Sequence, residues 1–217
     1  MTQEPLIPGP LYGLRTWRVV DTDEGERLAA PHRGTLWPPG VWLEARCERA
    51  DHQAPAPGCD CGVHGWHPRR TSARDVLATR RDVPGVVETD GPTEVHADGF
   101  RAARGRPYAL FSLPGRNEKR IARLAAAYGA EVVPVHDAGD ILAWCRERGL
   151  GLDEAVVTDL LGPEVGAERR HRRRTYLLRA GLAAGIAAAI LAAAIALDPG
   201  QPHDKVLHGR NGEIRVP

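Results

Sequence analysis

The fold is decided by residues 83–113, VPGVVETDGPTEVHADGFRAARGRPYALFSL. This stretch alternates runs of β-branched and aromatic residues with Gly, Pro and Asp, which is typical of short strands separated by turns. Four strands are predicted in it: Val83–Glu88, Thr93–Ala97, Phe100–Arg104 and Tyr108–Leu113. Because Asp98-Gly99 between the middle two predicts a tight turn, the stretch is expected to form the antiparallel part of a sheet.

More strands are predicted before this stretch, and helices mainly after it. A hairpin is expected from Leu14–Val20 and Arg27–Ala30 about the turn DTDEGE, and a strand from Val41 to Cys47. Later elements are a helix from Ser72 to Arg81 that Ser72 caps, a helix from Asn117, a strand over Glu131–Val135, a helix capped by Asp137, and a helix from Asp153 to Leu161. Since strands come first and helices later, the sequence predicts an α+β fold rather than a doubly wound sheet.

The helix that begins at Asn117 has the clearest pattern. Ile121, Leu124, Ala125 and Tyr128 share one face of an amphipathic helix. Gly129 follows directly and is typical of a helix end.

A cluster of soft metal ligands lies before the long β stretch, in HQAPAPGCDCGVHGWHP at residues 52–68. Together with the preceding cysteine it forms the pattern C-x4-H-x6-C-x-C, made by Cys47, His52, Cys59 and Cys61. Three thiolates and one imidazole are a common ligand set of structural zinc sites. The pattern therefore predicts a zinc site, with His64 and His67 as further candidate ligands.

Other interpretations of these thiols remain open. Cys59 and Cys61 could form a strained redox pair, and Cys47 could pair with one of them, although a reducing cytoplasm disfavours a disulfide. An iron–sulfur centre is chemically permissible, but the spacing matches no ferredoxin pattern. The thiols could also be buried small apolar groups. If metal binds, four protein ligands complete a tetrahedron and leave no place for a reacting water, which favours a structural role.

The charge distribution argues against nucleic-acid binding. Residues 1–166 carry 20 Lys and Arg against 24 Asp and Glu, whereas AERRHRRR at residues 167–174 has a net charge of +4. Nucleic-acid-binding domains need a basic face that neutralises many phosphates. A mildly acidic domain with one short basic cluster does not fit that class.

The sequence also favours a non-enzymatic protein. It contains no Gly-rich phosphate loop, nucleophile elbow or HExxH motif. Two His/Asp pairs, His96 with Asp98 and His136 with Asp137, lie at predicted strand ends. The aspartates are better explained as a turn former and a helix cap, and the histidines as surface residues.

An apolar run near the C-terminus predicts a single transmembrane helix over residues 176–197. Eighteen uncharged residues separate Arg179 from Asp198, and a helix of that length covers roughly 27 Å, close to the hydrocarbon thickness of a bilayer. The arginines before it and the mixed tail after it place the N-terminus in the cytoplasm and the C-terminus outside. No secretory signal is recognised at the start.

The predicted organisation therefore has four parts: a cytoplasmic α+β domain (1–166), a basic juxtamembrane segment (167–175), the transmembrane helix (176–197) and a short exported tail (198–217). The juxtamembrane arginines favour anionic lipid head groups. Gly181 and Gly185 form a GxxxG pattern, which lets membrane helices pair closely. The predicted partners are membrane lipid, a protein partner that the sequence does not identify, and a second copy of the chain paired through these two glycines.

Several motifs make the chain resemble a group of uncharacterised proteins from high-GC actinobacteria. They are G-x-R-x-W (Gly13, Arg15, Trp17), Trp37–Gly40, Cys47, His52–Val63, Gly99–Ala102 and Arg106–Phe111. The resemblance covers Leu11–Val135 and implies that the three cysteines and His52 act as a unit. It implies no mechanism, because the group has no assigned activity, and its pattern does not include the membrane segment. After the cysteine pair this chain has Gly-Val-His-Gly where the group has roughly Gly-Ile-Tyr-Ala.

These observations predict a single-pass membrane protein that acts as a cytoplasmic binding or scaffold module with a structural zinc site. One alternative is a membrane-tethered regulator with the topology of anti-sigma factors, although the HxxxCxxC of their zinc-bearing members is absent. A second is a metal- or thiol-dependent enzyme that uses Cys59 and Cys61.

Overall fold

The computed structural model describes residues 6–8, 10–32, 34–79, 82–115 and 118–162. The strands are β1 (Leu6–Pro8), β2 (Leu11–Thr22), β3 (Gly25–Ala29), β4 (Leu43–Glu44), β5 (Val63–Trp66), β6 (Asp82–Val95), β7 (Gly99–Ser112) and β8 (Glu131–Pro134). The helices are α1 (Arg70–Ala78), α2 (Glu118–Tyr128), α3 (Ala138–Glu147) and α4 (Glu154–Leu161). The predicted α+β class is confirmed for this part of the chain.

The predicted juxtamembrane segment, transmembrane helix, glycine pair and exported tail lie outside the described residues. Within the described ranges, no helix combines the length and the apolar character needed to cross a membrane.

A long antiparallel hairpin of β6 and β7 forms the centre of the sheet. Its pairing runs from Gly85 opposite Leu110 to Val95 opposite Phe100, and the backbone N–H of His96 closes the turn on the Gly99 carbonyl at 2.8 Å. Four short strands were predicted in this region, but the structure has two long continuous strands, β6 and β7. Register shifts after Val86 and after Asp90 absorb the irregular positions without ending either strand.

Four strands of the sheet close into a ring of pairings. Strand β6 pairs with β2, β2 with β5, β5 with β7, and β7 with β6. Phe100 on β7 is buried next to Gly13 of β2 and Gly65 of β5. A Cβ atom added at Gly13 would lie 2.8 Å from the phenyl group of Phe100, and one added at Gly65 would lie 2.6 Å from it. Glycine is needed at both positions because any larger residue would displace Phe100.

Helices cover both faces of the sheet. Helices α1 and α3 pack on Leu14, Val86 and Phe111, whereas α2 packs on the opposite face with Val87 and Leu110. Successive residues such as Val86 and Val87 face opposite sides of a strand. Both sides of β6 are therefore buried in two separate clusters of apolar residues.

The predicted hairpin before this region is confirmed as β2 and β3, which pair from Arg18 opposite Ala29 to Thr22 opposite Gly25. The four residues of the predicted apolar helix face are all buried in α2. The strand predicted to reach Cys47 is shorter, since β4 ends at Glu44 and the chain then leaves β7.

The predicted cap of the first helix is wrong. Arg69, not Ser72, is the N-cap residue of α1, and Ser72 lies one turn inside. Its hydroxyl accepts a hydrogen bond from the Arg69 backbone N–H at 3.0 Å and donates one to the His67 carbonyl at 2.5 Å. Ser72 therefore stabilises the same helix end from the third helical position.

The predicted cap of α3 is confirmed and can be tested against α4. The Asp137 carboxylate accepts hydrogen bonds from the backbone N–H groups of Gly139 and Asp140 at 2.6 and 3.1 Å. Asp153 occupies the same position of α4 but makes no such bond. We expect Asp137→Ala to lower the free energy of unfolding by about 1 kcal/mol and Asp153→Ala to change it much less. Urea denaturation measures both, and equal losses would contradict this assignment.

Candidate metal centre

The candidate ligands lie on a loop, residues 45–62, which we call the Cys/His loop. It leaves β4, which pairs with Arg104 and Gly105 of β7, and returns as β5, whose first residue pairs with Ala102 of the same strand. The Ala45 backbone N–H also bonds the Ala103 carbonyl at 2.8 Å. Neighbouring positions of β7 therefore hold the two ends of the loop together.

Local pairings inside the loop bring the ligands near one another. An isolated antiparallel bridge joins Arg46 to Gln53. Cys47 and His52 are the next residues inward from this bridge, so the turn brings them close to each other. A second turn is closed by the Cys59 backbone N–H on the Ala56 carbonyl at 3.1 Å. Gly58 in this turn has φ +74°, a conformation that favours glycine.

All four predicted ligands meet in one cluster. The Sγ atoms of Cys47, Cys59 and Cys61 and one ring nitrogen of His52 all lie within 4.8 Å of one another. The Cys47 and Cys59 sulfurs are 3.7 Å apart, and the Cys61 sulfur is 3.5 Å from His52 Nε2. The residues form a Cys3His group at metal-binding distance.

These two distances fit a tetrahedral ion. With metal–sulfur bonds of about 2.3 Å and metal–nitrogen bonds of about 2.0 Å, tetrahedral angles separate two sulfurs by about 3.8 Å and a sulfur from a nitrogen by about 3.5 Å. A disulfide would require sulfurs about 2.0 Å apart, and all four cysteines are free thiols. The geometry matches metal ligation rather than a disulfide.

Backbone N–H groups favour the thiolate form of two ligands. A hydrogen bond from the Arg49 backbone N–H lowers the pKa of Cys47, and one from the Cys61 backbone N–H lowers the pKa of Cys59. Cys61 is buried, and burial raises the pKa of its thiol. A metal cation would compensate this effect, because coordination favours the thiolate.

The two additional histidine candidates do not join the cluster. His64 lies on β5, and its Nε2–H donates to the Asp60 carbonyl at 3.1 Å. Nε2 of His67 donates to the His96 carbonyl at 2.9 Å, and its ring packs 5.9 Å from that of Phe100. His64 therefore contacts the Cys/His loop from outside, while His67 belongs to the core.

A buried charge cluster near this loop was missed by sequence reasoning. Glu94 on β6 and Arg101 on β7 face each other in register and form an ion pair at 2.5 Å, with both side chains buried. The Arg101 Nε–H also donates to His96 Nε2 at 3.0 Å. The sequence gives only a weak signal for this buried ion pair. Glu94 and Arg101 are charged residues in predicted strands, and charged residues in strands usually face solvent.

Comparison with known proteins finds no matching family model and no significantly similar curated protein or solved structure. The fold and the site define the chain as an α+β protein with a Cys3His group that could bind a metal ion.

Proposed function

We propose that this chain is a membrane-anchored, non-enzymatic binding or scaffold module whose cytoplasmic domain is organised by a structural zinc ion. The observation that carries the proposal is the Cys3His cluster, whose ligand atoms all lie within 4.8 Å of one another. Zinc fits this donor set because it prefers four sulfur and nitrogen ligands in a tetrahedron. The membrane anchor rests on the apolar run of residues 176–197.

The composition of the Cys/His loop supports a structural role for the metal. Across residues 45–62 only Ala54, Pro55 and Cys61 are buried. Such a segment contains too little apolar surface to order itself by burial. Four bonds to one ion cross-link residues 47–61 and supply the missing stabilisation.

The ligand count supports binding rather than catalysis. Catalytic zinc sites keep one coordination position for water or substrate, whereas structural sites fill all four with protein ligands. The Cys/His loop offers four candidate ligand atoms within 4.8 Å of one another, which is the number that a tetrahedron needs. The ion would then hold a surface in shape without activating a substrate.

The proposal is tested by metal content. We expect the full-length chain, purified in mild detergent without a metal-affinity tag, to carry about one zinc per chain by inductively coupled plasma mass spectrometry. Cys59→Ser should lose the zinc. The matched control is Cys145→Ala, which removes a buried thiol that lies on α3 outside the cluster.

Three outcomes would contradict the proposal. A metal-free wild type that melts cooperatively would exclude the structural ion. Equal loss of zinc in Cys145→Ala would show that the metal is held elsewhere. A folded, zinc-free Cys59→Ser chain that keeps the stability of the wild type would instead favour a thiol or metal function separate from folding.

The membrane anchor is tested separately by fractionation and topology. We expect the full-length chain to stay with membranes after an alkaline carbonate wash. A protease added outside intact cells should remove a tag placed after Pro217 and leave a tag before Met1 intact. A protected C-terminal tag on a chain that stays in the membrane would contradict the proposed orientation. Release by the wash would contradict the anchor.

A further inference from the structure

An arginine on β2 occupies a position where the strand faces the core. Gly13, Arg15 and Trp17 alternate along one side of β2, because side chains two residues apart share a face. Gly13 lies against Phe100, and Trp17 is completely buried. A guanidinium between two such positions requires an explanation.

The described contacts of Arg15 satisfy only part of its hydrogen-bonding capacity and include no carboxylate. Nη1 donates to the His64 carbonyl, and the guanidinium lies 5.0 Å from the centre of the Trp37 ring. The Nε–H is buried and has no acceptor within the described part of the chain. Burial lowers the pKa of Arg15 to about 10, with no carboxylate contributing to the shift, so the side chain is still charged at neutral pH.

The neighbourhood is basic. Desolvation lowers the pKa of His64, and so does repulsion from the positive charges of Arg15 and Arg101. The carboxylate of Glu94 is hydrogen-bonded to Arg101. Arg15 is half-buried, its Nε–H is fully buried, and no carboxylate pairs with it among the described contacts, although buried charges in proteins are normally paired.

Two further N–H donors beside Arg15 also lack acceptors. The indole Nε1 atoms of Trp17 and Trp37 are buried without a hydrogen-bond partner among the described residues. The two rings contact each other edge to face, with centres 5.5 Å apart, and Arg15 lies over Trp37. Buried N–H groups are nearly always hydrogen-bonded in native proteins, so three unpaired donors on adjoining side chains indicate an absent acceptor.

We propose that Arg15, whose Nη1 contacts the His64 carbonyl, binds an oxyanion, either a carboxylate or a phosphate group. Both anions offer oxygen acceptors at the spacing that a guanidinium can bind with two parallel hydrogen bonds. The bound oxyanion accepts from the guanidinium N–H groups that the His64 carbonyl leaves free and supplies the missing negative charge. Arg15 is only half-buried, which leaves its guanidinium reachable from the protein surface.

This anion site is separate from the proposed metal function but is joined to the loop by one contact. His64 donates to the carbonyl of Asp60, the residue between Cys59 and Cys61. The loop thus orients the His64 ring, while Arg15 itself belongs to β2 and does not depend on the loop for its position. Failure of the anion site would leave the zinc proposal intact, because metal content and anion binding are measured independently.

The site is tested by thermal stability in the presence of oxyanions. With the full-length chain at fixed ionic strength, we expect saturating inorganic phosphate or acetate to raise the melting temperature by about 4 °C relative to chloride. The response to each anion distinguishes a phosphate from a carboxylate ligand. Arg15→Gln should lose the response. The matched control is Arg18→Gln, which changes an exposed arginine three residues along the same strand and should keep it.

A second measurement uses only the wild-type chain. We expect the nuclear magnetic resonance signal of the Arg15 Nε–H group to shift on addition of the effective oxyanion and to stay unchanged on addition of chloride. No response of the wild type to either anion would overturn the proposal. So would an equal response of Arg15→Gln, or an unchanged Arg15 Nε–H signal.

Discussion

Removal of the proposed zinc ion from the Cys/His loop is expected to lower the melting temperature of the chain by about 10 °C, equivalent to about 4 kcal/mol for a protein of this size. Structural zinc contributes about 10 to 16 kcal/mol in zinc-finger peptides, which have almost no other core. Here the buried residues of the two large apolar clusters lie outside residues 45–62, and only Ala45 of the loop packs against one of them. They should stay folded while the loop unravels, so the expected loss is only part of the peptide value.

The measurement is differential scanning calorimetry before and after a chelator, followed by addition of zinc. The lower melting temperature should return to its original value with one equivalent of zinc. Cys61→Ser should melt near the chelated wild type and should not respond to either reagent. Cys145→Ala should still respond to both, because Cys145 packs beside Ile141 and Trp144 rather than in the loop. A melting temperature that chelation leaves unchanged would show that the ion does not stabilise the fold.

The second large effect is expected at Trp17. Its side chain is completely buried between the sheet and α2, in the cluster that contains Trp37 and Leu110. Removing a buried aromatic ring leaves a cavity and costs about 3 to 5 kcal/mol. Trp17→Ala is therefore expected to lower the free energy of unfolding by that amount in urea denaturation.

Trp66 is the matched control for this substitution. It is also a tryptophan on a strand, but it is 50% exposed. Trp66→Ala should lower the free energy of unfolding by less than about 1 kcal/mol, since little apolar area is lost from the interior. If both variants lost the same stability, the assignment of Trp17 to the core would be wrong.

Local patterns in the sequence predicted the elements that depend on neighbouring residues. The apolar face of α2 was correct because its four residues recur at the helical period and all face the sheet. Asp137 was correctly predicted as a cap because its carboxylate reaches backbone N–H groups only two and three residues away. Short-range interactions of this kind are the same in any tertiary context.

Patterns also failed where a neighbour distant in sequence decides the outcome. Gly, Pro and Asp residues within 83–113 predicted four strands, but pairing along the whole hairpin keeps β6 and β7 continuous. The predicted strand to Cys47 ends early because β4 leaves β7 after Glu44. Hydrogen bonds to the neighbouring strands offset the free-energy cost of a Gly, Pro or Asp residue within a strand. The sequence of the strand alone does not show these neighbours.

The sequence by itself determined the α+β class, the main helices and the identity of the four metal-ligand candidates, because residue type and short spacing are enough for each. Only the tertiary structure decided that Cys47, His52, Cys59 and Cys61 meet within 4.8 Å and that His64 and His67 stay outside. It also placed Arg15 over the Trp37 ring, with its Nε–H buried and with no carboxylate contributing to its pKa. Those results depend on how β7 brings β4 and β5 together and on how β2 faces the core. These long-range pairings bring together groups that are separated in the sequence.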